Sequence, residues 1–337
     1  MIRSNSAPTF PGHPAPARRA GLRGHLWRGA DLALVAALLL AGAALLGPFG
    51  AAADLLCQFL LQGAVLAAAL GLAFLLGRRP RRALLAAAAL ATQLWQIQPG
   101  GFPPAVAGTP GLRVLSLNLY IHNPTPAALV DWLVRSDADV LALQEAYPPW
   151  PAHLAALTRH YPHRLDCFAH AGCDLVLLSR HPWQQGKGVV DPRTGAPLVA
   201  GEIATTQGPL RIATTHLSRP VLKSSLAEQL TQIDFLARKL GDSAALPTLF
   251  VGDFNGVPWG QAVGAFERAT ALRALRGLEG TWPARLPWPF RLPIDQALAG
   301  PDLPVTARAV VRAPGSDHRA VLLTLGGRLP APAQPDR

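Results

Sequence analysis

The chain has little lysine: three residues in 337, Lys187, Lys223 and Lys239, lying far apart. Beyond residue 100 no run of lysine and arginine is present, so that part of the chain lacks the cationic tract by which proteins track duplex nucleic acid. Cysteine is equally sparse, with Cys57, Cys167 and Cys173, and no histidine and cysteine cluster has zinc-ligand spacing. Internal repeats are absent. Charge is missing altogether from two apolar runs, LALVAALLLAGAALLGPF at 32–49 and LLCQFLLQGAVLAAALGLAFLLG at 55–77. Both are long enough to cross a hydrocarbon core, which takes roughly 20 residues. Together they are too long for a cleaved signal, and no single cleavage site stands out.

A third stretch, ALLAAAALATQLWQI at 83–97, is alanine-rich and interrupted by Gln93 and Gln96. It reads either as a third span or as an interfacial helix. Arg3, Arg18, Arg19, Arg23 and Arg28 precede the first run, Arg78, Arg79, Arg81 and Arg82 follow the second, and no basic residue separates the two. Cytoplasmic loops collect such arginines, which puts the N-terminus and the RRPRR loop inside. A spanning third helix would then leave the rest of the chain outside the cytoplasmic membrane. The arginines also account for most of the net charge of +11, since residues 1–100 hold nine Arg against Asp31 and Asp54.

Composition divides the chain further. Residues 1–29 and 328–337, rich in Pro, Ala and Arg, are expected to be disordered. The segment QPGGFPPAVAGTP at 98–110 reads as an extended linker between a membrane region at 30–97 and a domain at 111–327. Cys167 and Cys173 have the spacing of a small disulfide loop or are two free thiols. A bonded pair would point to an oxidising compartment.

Within 111–327 short apolar runs end on polar groups. GLRVLSLNLY at 111–120 ends in Asn118, ADVLALQEAY at 138–147 in Gln144 and Glu145, and RIATTHLSRP at 211–220 in His216. LPTLFVGDFN at 246–255 delivers Asp253 and Asn255, and RLPIDQAL at 291–298 carries Asp295. SDHRAVLLTL at 316–325 runs the other way, with Asp317 and His318 at the entry of its apolar run. These are strand patterns with rims of carboxylate, carboxamide and imidazole. TPAALVDWLVRS at 125–136 and KSSLAEQLTQIDFLARKL at 223–240 have helical spacing instead.

Taken in order, Asn118, Gln144-Glu145, His216, the GDFN of 252–255, Ile294-Asp295 and the SDH of 316–318 resemble the endonuclease/exonuclease/phosphatase superfamily, which includes deoxyribonuclease-like nucleases, sphingomyelinases and inositol phosphatases. The resemblance covers about residues 110–327. It implies an α/β fold, a four-layer α/β/β/α sandwich, here preceded by two or three transmembrane helices. It also implies attack by water on a phosphate ester, which requires a cation on the phosphoryl oxygen and an oriented water. Glu145 is then the principal metal ligand, with Asn118 and Asp317 beside or behind it, and hard oxygen donors favour Mg²⁺ or Mn²⁺. Asp253, backed by Asn255, orients the water. His216 and His318 bond the non-bridging oxygens, and Asp295 holds His318. Either Asp253 or His318 takes the water's proton. Arg180, ending DLVLLSR, is a candidate for reaching an anionic substrate.

The apolar front turns the expected substrate toward lipid head groups, which a short linker keeps close. The segment TWPARLPWPFRLP at 281–293 interleaves Trp282, Trp288 and Phe290 with Arg285 and Arg291, which suits a membrane interface or a phosphate-bearing amphiphile, and Trp259 would join them. Helices followed by this domain resemble the membrane-bound bacterial branch that includes teicoplanin-resistance type proteins, which implies hydrolysis of undecaprenyl pyrophosphate. Gln296 after Asp295 and Cys173 depart from that pattern. The expected partners are a bilayer and a phosphorylated lipid. A membrane-tethered nuclease or sphingomyelinase-like phosphodiesterase is the alternative reading, with nucleic acid not favoured.

Overall fold

The computed structural model describes residues 17–98, 111–205, 208–221, 225–241 and 245–326. Four helices come first: α1 (Ala17–Leu46), α2 (Ala51–Cys57), α3 (Leu60–Leu76) and α4 (Pro80–Ile97). The domain continues with β1 (Leu112–Asn118), α5 (Pro126–Arg135), β2 (Val140–Gln144), α6 (Trp150–Leu154), β3 (His163–Asp166), β4 (Val176–Ser179), β5 (Trp183–Val190), β6 (Pro197–Thr205) and β7 (Gly208–His216). It ends with α7 (Leu226–Leu240), β8 (Thr248–Asp253), α8 (Gln261–Ala269), β9 (Arg273–Ala274), β10 (Asp295–Ala299), β11 (Val305–Arg312) and β12 (Arg319–Leu325).

The strands form two six-stranded sheets, ordered β11-β12-β1-β2-β4-β3 and β5-β6-β7-β8-β10-β9. Side chains alternate faces along a strand, so each strand can serve two cores. Val114, Val140, Ile212, Leu249, Val251, Val321 and Leu323 meet between the sheets. Their neighbours Leu115, Leu117, Leu141 and Leu143 face outward onto α5 and α6 residues such as Leu129, Leu133 and Trp150. On the other side Phe250 and Leu298 pack against Ile233 and Leu236 of α7 and Phe266 of α8. Helix, sheet, sheet and helix are thus stacked as four layers, as the resemblance implied. Cys167 and Cys173 are joined in a disulfide at the edge of the inter-sheet core.

The front of the chain departs from expectation in two places. Disorder was expected through residue 29, but α1 begins at Ala17. The last proline of that segment is Pro16, after which nothing bars a helix. The second apolar run was expected to be continuous, yet it breaks between α2 and α3, which are bent by 60°. At the break Trp259 Nε1 donates to Cys57 O at 2.6 Å, taking a carbonyl that a continuing helix would use. Among the described residues one helix is by itself long and apolar enough to cross a membrane, Gly24–Leu46, and α2 with α3 passes only as a bent pair.

Gln93 and Gln96, which weaken the third stretch as a span, both bond α1. Gln93 Nε2 donates to Ala37 O at 3.0 Å and Gln96 Nε2 to Ala44 O. With Arg82 paired to Asp31 at 2.6 Å, these contacts run α4 alongside α1 in the same direction. Small residues, Ala37, Ala41, Ala67 and Ala89, let α1, α3 and α4 approach closely. The first 16 residues, most of the expected linker and the tail beyond 326 lie outside the described residues.

Gly252, next to Asp253, has φ 146°, and a Cβ there would stand 2.1 Å from Thr215 O on the neighbouring strand. Gly252→Ala is therefore expected to cost about 2 kcal/mol or more, read as a lower midpoint in denaturant unfolding. A midpoint equal to the wild type would contradict this placement of β8 on β7.

Candidate active site

The inward-facing parity that builds the core also builds the site. In β1 positions 112 and 114 face the opposite sheet, and the same face continues to Ser116 and Asn118. In β2 it continues from Val140 and Ala142 to Gln144, in β7 from Ile212 and Thr214 to His216, in β8 from Leu249 and Val251 to Asp253, and in β10 from Ala299 and Ala297 to Asp295. Gln144 Nε2 bridges the sheets, donating to Ser116 Oγ at 3.3 Å and Thr214 Oγ1 at 3.0 Å. Register then sets these ends level. His216 pairs with Asp253, Asp253 with Asp295, and Asn118 with Gln144. β10 runs antiparallel to β8, so Asp295 comes at its start where Asp253 comes at the end of β8.

Asp253, 1% exposed, is the centre of this row. Its Oδ1 accepts from the Asn255 backbone N–H at 2.8 Å and its Oδ2 from Asn118 Nδ2 at 3.1 Å. Two imidazoles present Nε2 to the same Oδ2, His216 at 3.6 Å and His318 at 3.7 Å. Each is held from behind: Asp174 Oδ2 lies 2.6 Å from His216 Nδ1, and Asp295 Oδ2 lies 2.9 Å from His318 Nδ1. A carboxylate on Nδ1 keeps a proton there and turns Nε2 to the site. Burial opposes charge on His216, but Asp174, Asp253 and Glu145 outweigh it and push its pKa up to about 9. Burial of His318 is outweighed in the same way by Asp295, Asp253 and Asp317, which raise it to about 10.

Glu145 stands just past the end of β2 with φ 56°, a left-handed conformation that costs a non-glycine residue energy. Its Oε1 accepts from Asn118 Nδ2 at 3.1 Å and its Oε2 from the Ile121 N–H at 2.8 Å. Asn255 has φ 46° and donates from Nδ2 to Leu217 O at 2.8 Å. Ser316 Oγ donates to Asn118 O at 2.7 Å, which ties the 316–318 segment to the end of β1. Asp317 accepts from Trp282 Nε1 at 3.1 Å and keeps a partly exposed carboxylate. Gln296 Nε2 bonds Gly256 O and Pro293 O at 2.7 and 2.6 Å, so this departure from the family pattern braces the loop beyond Asp253.

Five carboxylates, Glu145, Asp174, Asp253, Asp295 and Asp317, thus face two imidazoles, and the buried Asp295 Oδ1 has no hydrogen-bond partner. Such an oxygen-rich, negatively charged set fits a hard divalent cation. Asp253, Asp295 and His318 bring donor atoms within 4.8 Å of one another. Two of those three are bonded to each other, Asp295 Oδ2 to His318 Nδ1, and the Glu145 carboxylate meets the same Asn118 amide as Asp253 does. The sequence match to the Endonuclease/Exonuclease/phosphatase family runs over residues 115–318, from the strand bearing Asn118 to His318 itself.

The chain belongs to that family. Its members hydrolyse phosphoester bonds and generally use divalent metals. No match is found among curated proteins. Among solved structures the chain is similar to an endonuclease/exonuclease/phosphatase from Beutenbergia cavernae DSM 12333, at 23% identity and TM-score 0.53 over 66% of this chain and 72% of that one. It is similar also to D. rerio TDP2 complexed with single-strand DNA product, at 16% identity and TM-score 0.53 over 64% and 98%. A third is the Bacteroides thetaiotaomicron mannosyl-6-phosphatase, at 18% identity and TM-score 0.50 over 64% and 99%. At these identities the likeness establishes the fold.

Of the residues expected at the site, Asn118, Glu145, His216, Asp253, Asn255, Asp295, Asp317 and His318 come together. Arg180 does not. β4 is antiparallel to β2, and Ser179 pairs with Val140 at the end of the sheet opposite Gln144. There Arg180 Nη1 bonds Asp137 Oδ1 at 3.0 Å. Asp174 was missed, although it opens the run DLVLLS as Asp317 and His318 open theirs. Asp174→Asn is expected to lower turnover of a chromogenic phosphate ester about 10- to 100-fold, whereas Glu145→Gln, Asp253→Asn and His318→Gln each cost about 10³-fold or more. Full activity in the Asp174 variant would contradict its support of His216.

Proposed function

We propose that the chain is a membrane-anchored, divalent-metal-dependent phosphohydrolase that acts on a lipid phosphate or pyrophosphate outside the cytoplasmic membrane. Undecaprenyl pyrophosphate is the type of substrate that fits. The observation that carries this reading is where the domain meets the helices. Gln261 N–H donates to Asp54 Oδ1 at 2.7 Å and its side chain to Gly47 O, while Gln62 Nε2 donates to Pro289 O at 2.6 Å. Ile97, Ala44, Cys57 and Leu60 pack with Trp259 and Leu278 of the domain.

All these contacts lie at the end of the helices remote from Arg78, Arg79, Arg81 and Arg82. By the positive-inside rule that end is extracytoplasmic. The parallel course of α4 beside α1 supports the same side, and so does the disulfide, which suits an oxidising compartment. Exposed Phe49, Trp288 and Phe290 supply apolar and aromatic groups of the kind that sit at a bilayer surface.

In this reading Glu145, with Asn118 and Asp317, holds Mg²⁺ or Mn²⁺, which when bound withdraws charge from the phosphoryl oxygens. Asp253, with Oδ1 fixed by the Asn255 N–H, orients the attacking water and takes its proton. The Nε2 groups of His216 and His318 donate to non-bridging oxygens as negative charge grows there. Asp174 and Asp295 keep both imidazoles aimed.

A second reading, a membrane-tethered phosphodiesterase or nuclease, draws on a groove of about 760 Å³ beside Asp317, flanked by Arg285 and Arg312 with Tyr120 and Trp282. A panel of polyprenyl pyrophosphate, lipid phosphomonoester, sphingomyelin and DNA separates the two. Phosphate release from the lipid phosphates with Mg²⁺, abolished by chelation, is expected. Cleavage of DNA without phosphate release from either lipid would overturn the proposal. Independently, an alkaline phosphatase fused to the C-terminus is expected to be active in cells, and an inactive fusion at normal expression would put the domain inside.

A further inference from the structure

The break between α2 and α3 lies over the catalytic end of the domain, and an apolar slot of about 270 Å³ opens between them. Leu55 and Phe59 line it from the helices, Val221, Leu292 and Ile294 from the domain. Asn255 and His318 of the site line it as well, with Gln58 and Arg219. We propose that the helix elbow is one wall of the substrate site and seats the hydrocarbon chain of a phosphorylated lipid in this slot. The inference rests on the lipid-phosphate reading and adds that the membrane region selects the substrate as well as anchoring the enzyme.

Three features argue for this occupant. Apolar side chains are left uncovered at the slot, Leu55 at 40%, Phe59 at 43% and Val221 at 37%, so a hydrocarbon chain lying there would meet apolar surface from both the helices and the domain. The elbow is fastened on both sides of its bend, by Trp259 to Cys57 O and Gln261 to Asp54 before it and by Gln62 to Pro289 O after it, so the slot belongs to the resting structure. The slot also brings Leu55 and Phe59 together with two polar groups of the site, Asn255 and His318, the polarity profile of an amphiphile with its phosphate at those two groups. A water-soluble phosphate ester would reach His318 and leave the apolar wall bare.

The test compares kcat/KM for a long-chain polyprenyl pyrophosphate with that for dimethylallyl pyrophosphate, using the full-length chain in detergent micelles. Phe59→Ser removes the helix wall and Val221→Trp fills the slot from the domain side. In both variants the long-to-short ratio is expected to fall about tenfold or more, while Phe59→Leu, which keeps an apolar wall, preserves it. A wild-type enzyme that hydrolyses the lipid, with an unchanged ratio in both Phe59→Ser and Val221→Trp at wild-type melting temperature, would overturn the slot alone. Absence of any lipid pyrophosphate hydrolysis by the wild type would overturn the substrate reading and the slot with it.

Discussion

The Asp253 carboxylate is almost wholly buried, and a charge held that far from water has to be met by donors. The Asn255 N–H and the Asn118 amide meet it directly, and two imidazoles approach from either side. Those imidazoles, His318 buried and His216 half-buried, have carboxylates of their own, Asp295 and Asp174. One requirement therefore spreads through both sheets, because Asn118 and Asp174 flank the strands of one while His216, Asp253 and Asp295 belong to the other. The sheets can satisfy it only when stacked in a single register, and Gln144, bonded to Ser116 and Thr214, helps to hold that register. The left-handed backbone at Glu145 and Asn255 is tolerated because these surroundings leave each residue one useful direction.

In the proposed reading, helices set in a membrane change what such a site can meet. The helices are bonded to the domain through Asp54, Cys57 and Gln62 rather than joined by the chain alone. A domain hung on a free linker would sample many orientations over a bilayer. One fastened at the elbow presents a fixed face, and that face bears His318, Asn255 and the exposed aromatic residues of the 282–290 segment.

Much of this was legible in the sequence because strand ends are local. An apolar run that stops on a polar residue states both its structure and the location of its last side chain, and Asn118, Glu145, His216, Asp253, Asp295 and His318 were found in that way. Strand direction is less local. Arg180 ends its run as Glu145 follows its own, but the antiparallel pairing of β4 with β2 sends it to the other rim, which only the sheet order reveals. Asp174 opens the same run and so lies at the active rim, the converse of the same rule. The break at Gln58 and Phe59 was hidden because its cause, the indole of Trp259, lies two hundred residues away in sequence.

The central claim is that both sheets together make one phosphoryl site with a cation on its Glu145 side. Anomalous diffraction from crystals grown with Mn²⁺ and inorganic phosphate examines it directly. A manganese peak beside Glu145, with phosphate between it and the Nε2 atoms of His216 and His318, is the expected result. A peak seated instead among Asp253, Asp295 and His318, or no metal bound near Glu145 at saturating Mn²⁺, would contradict it.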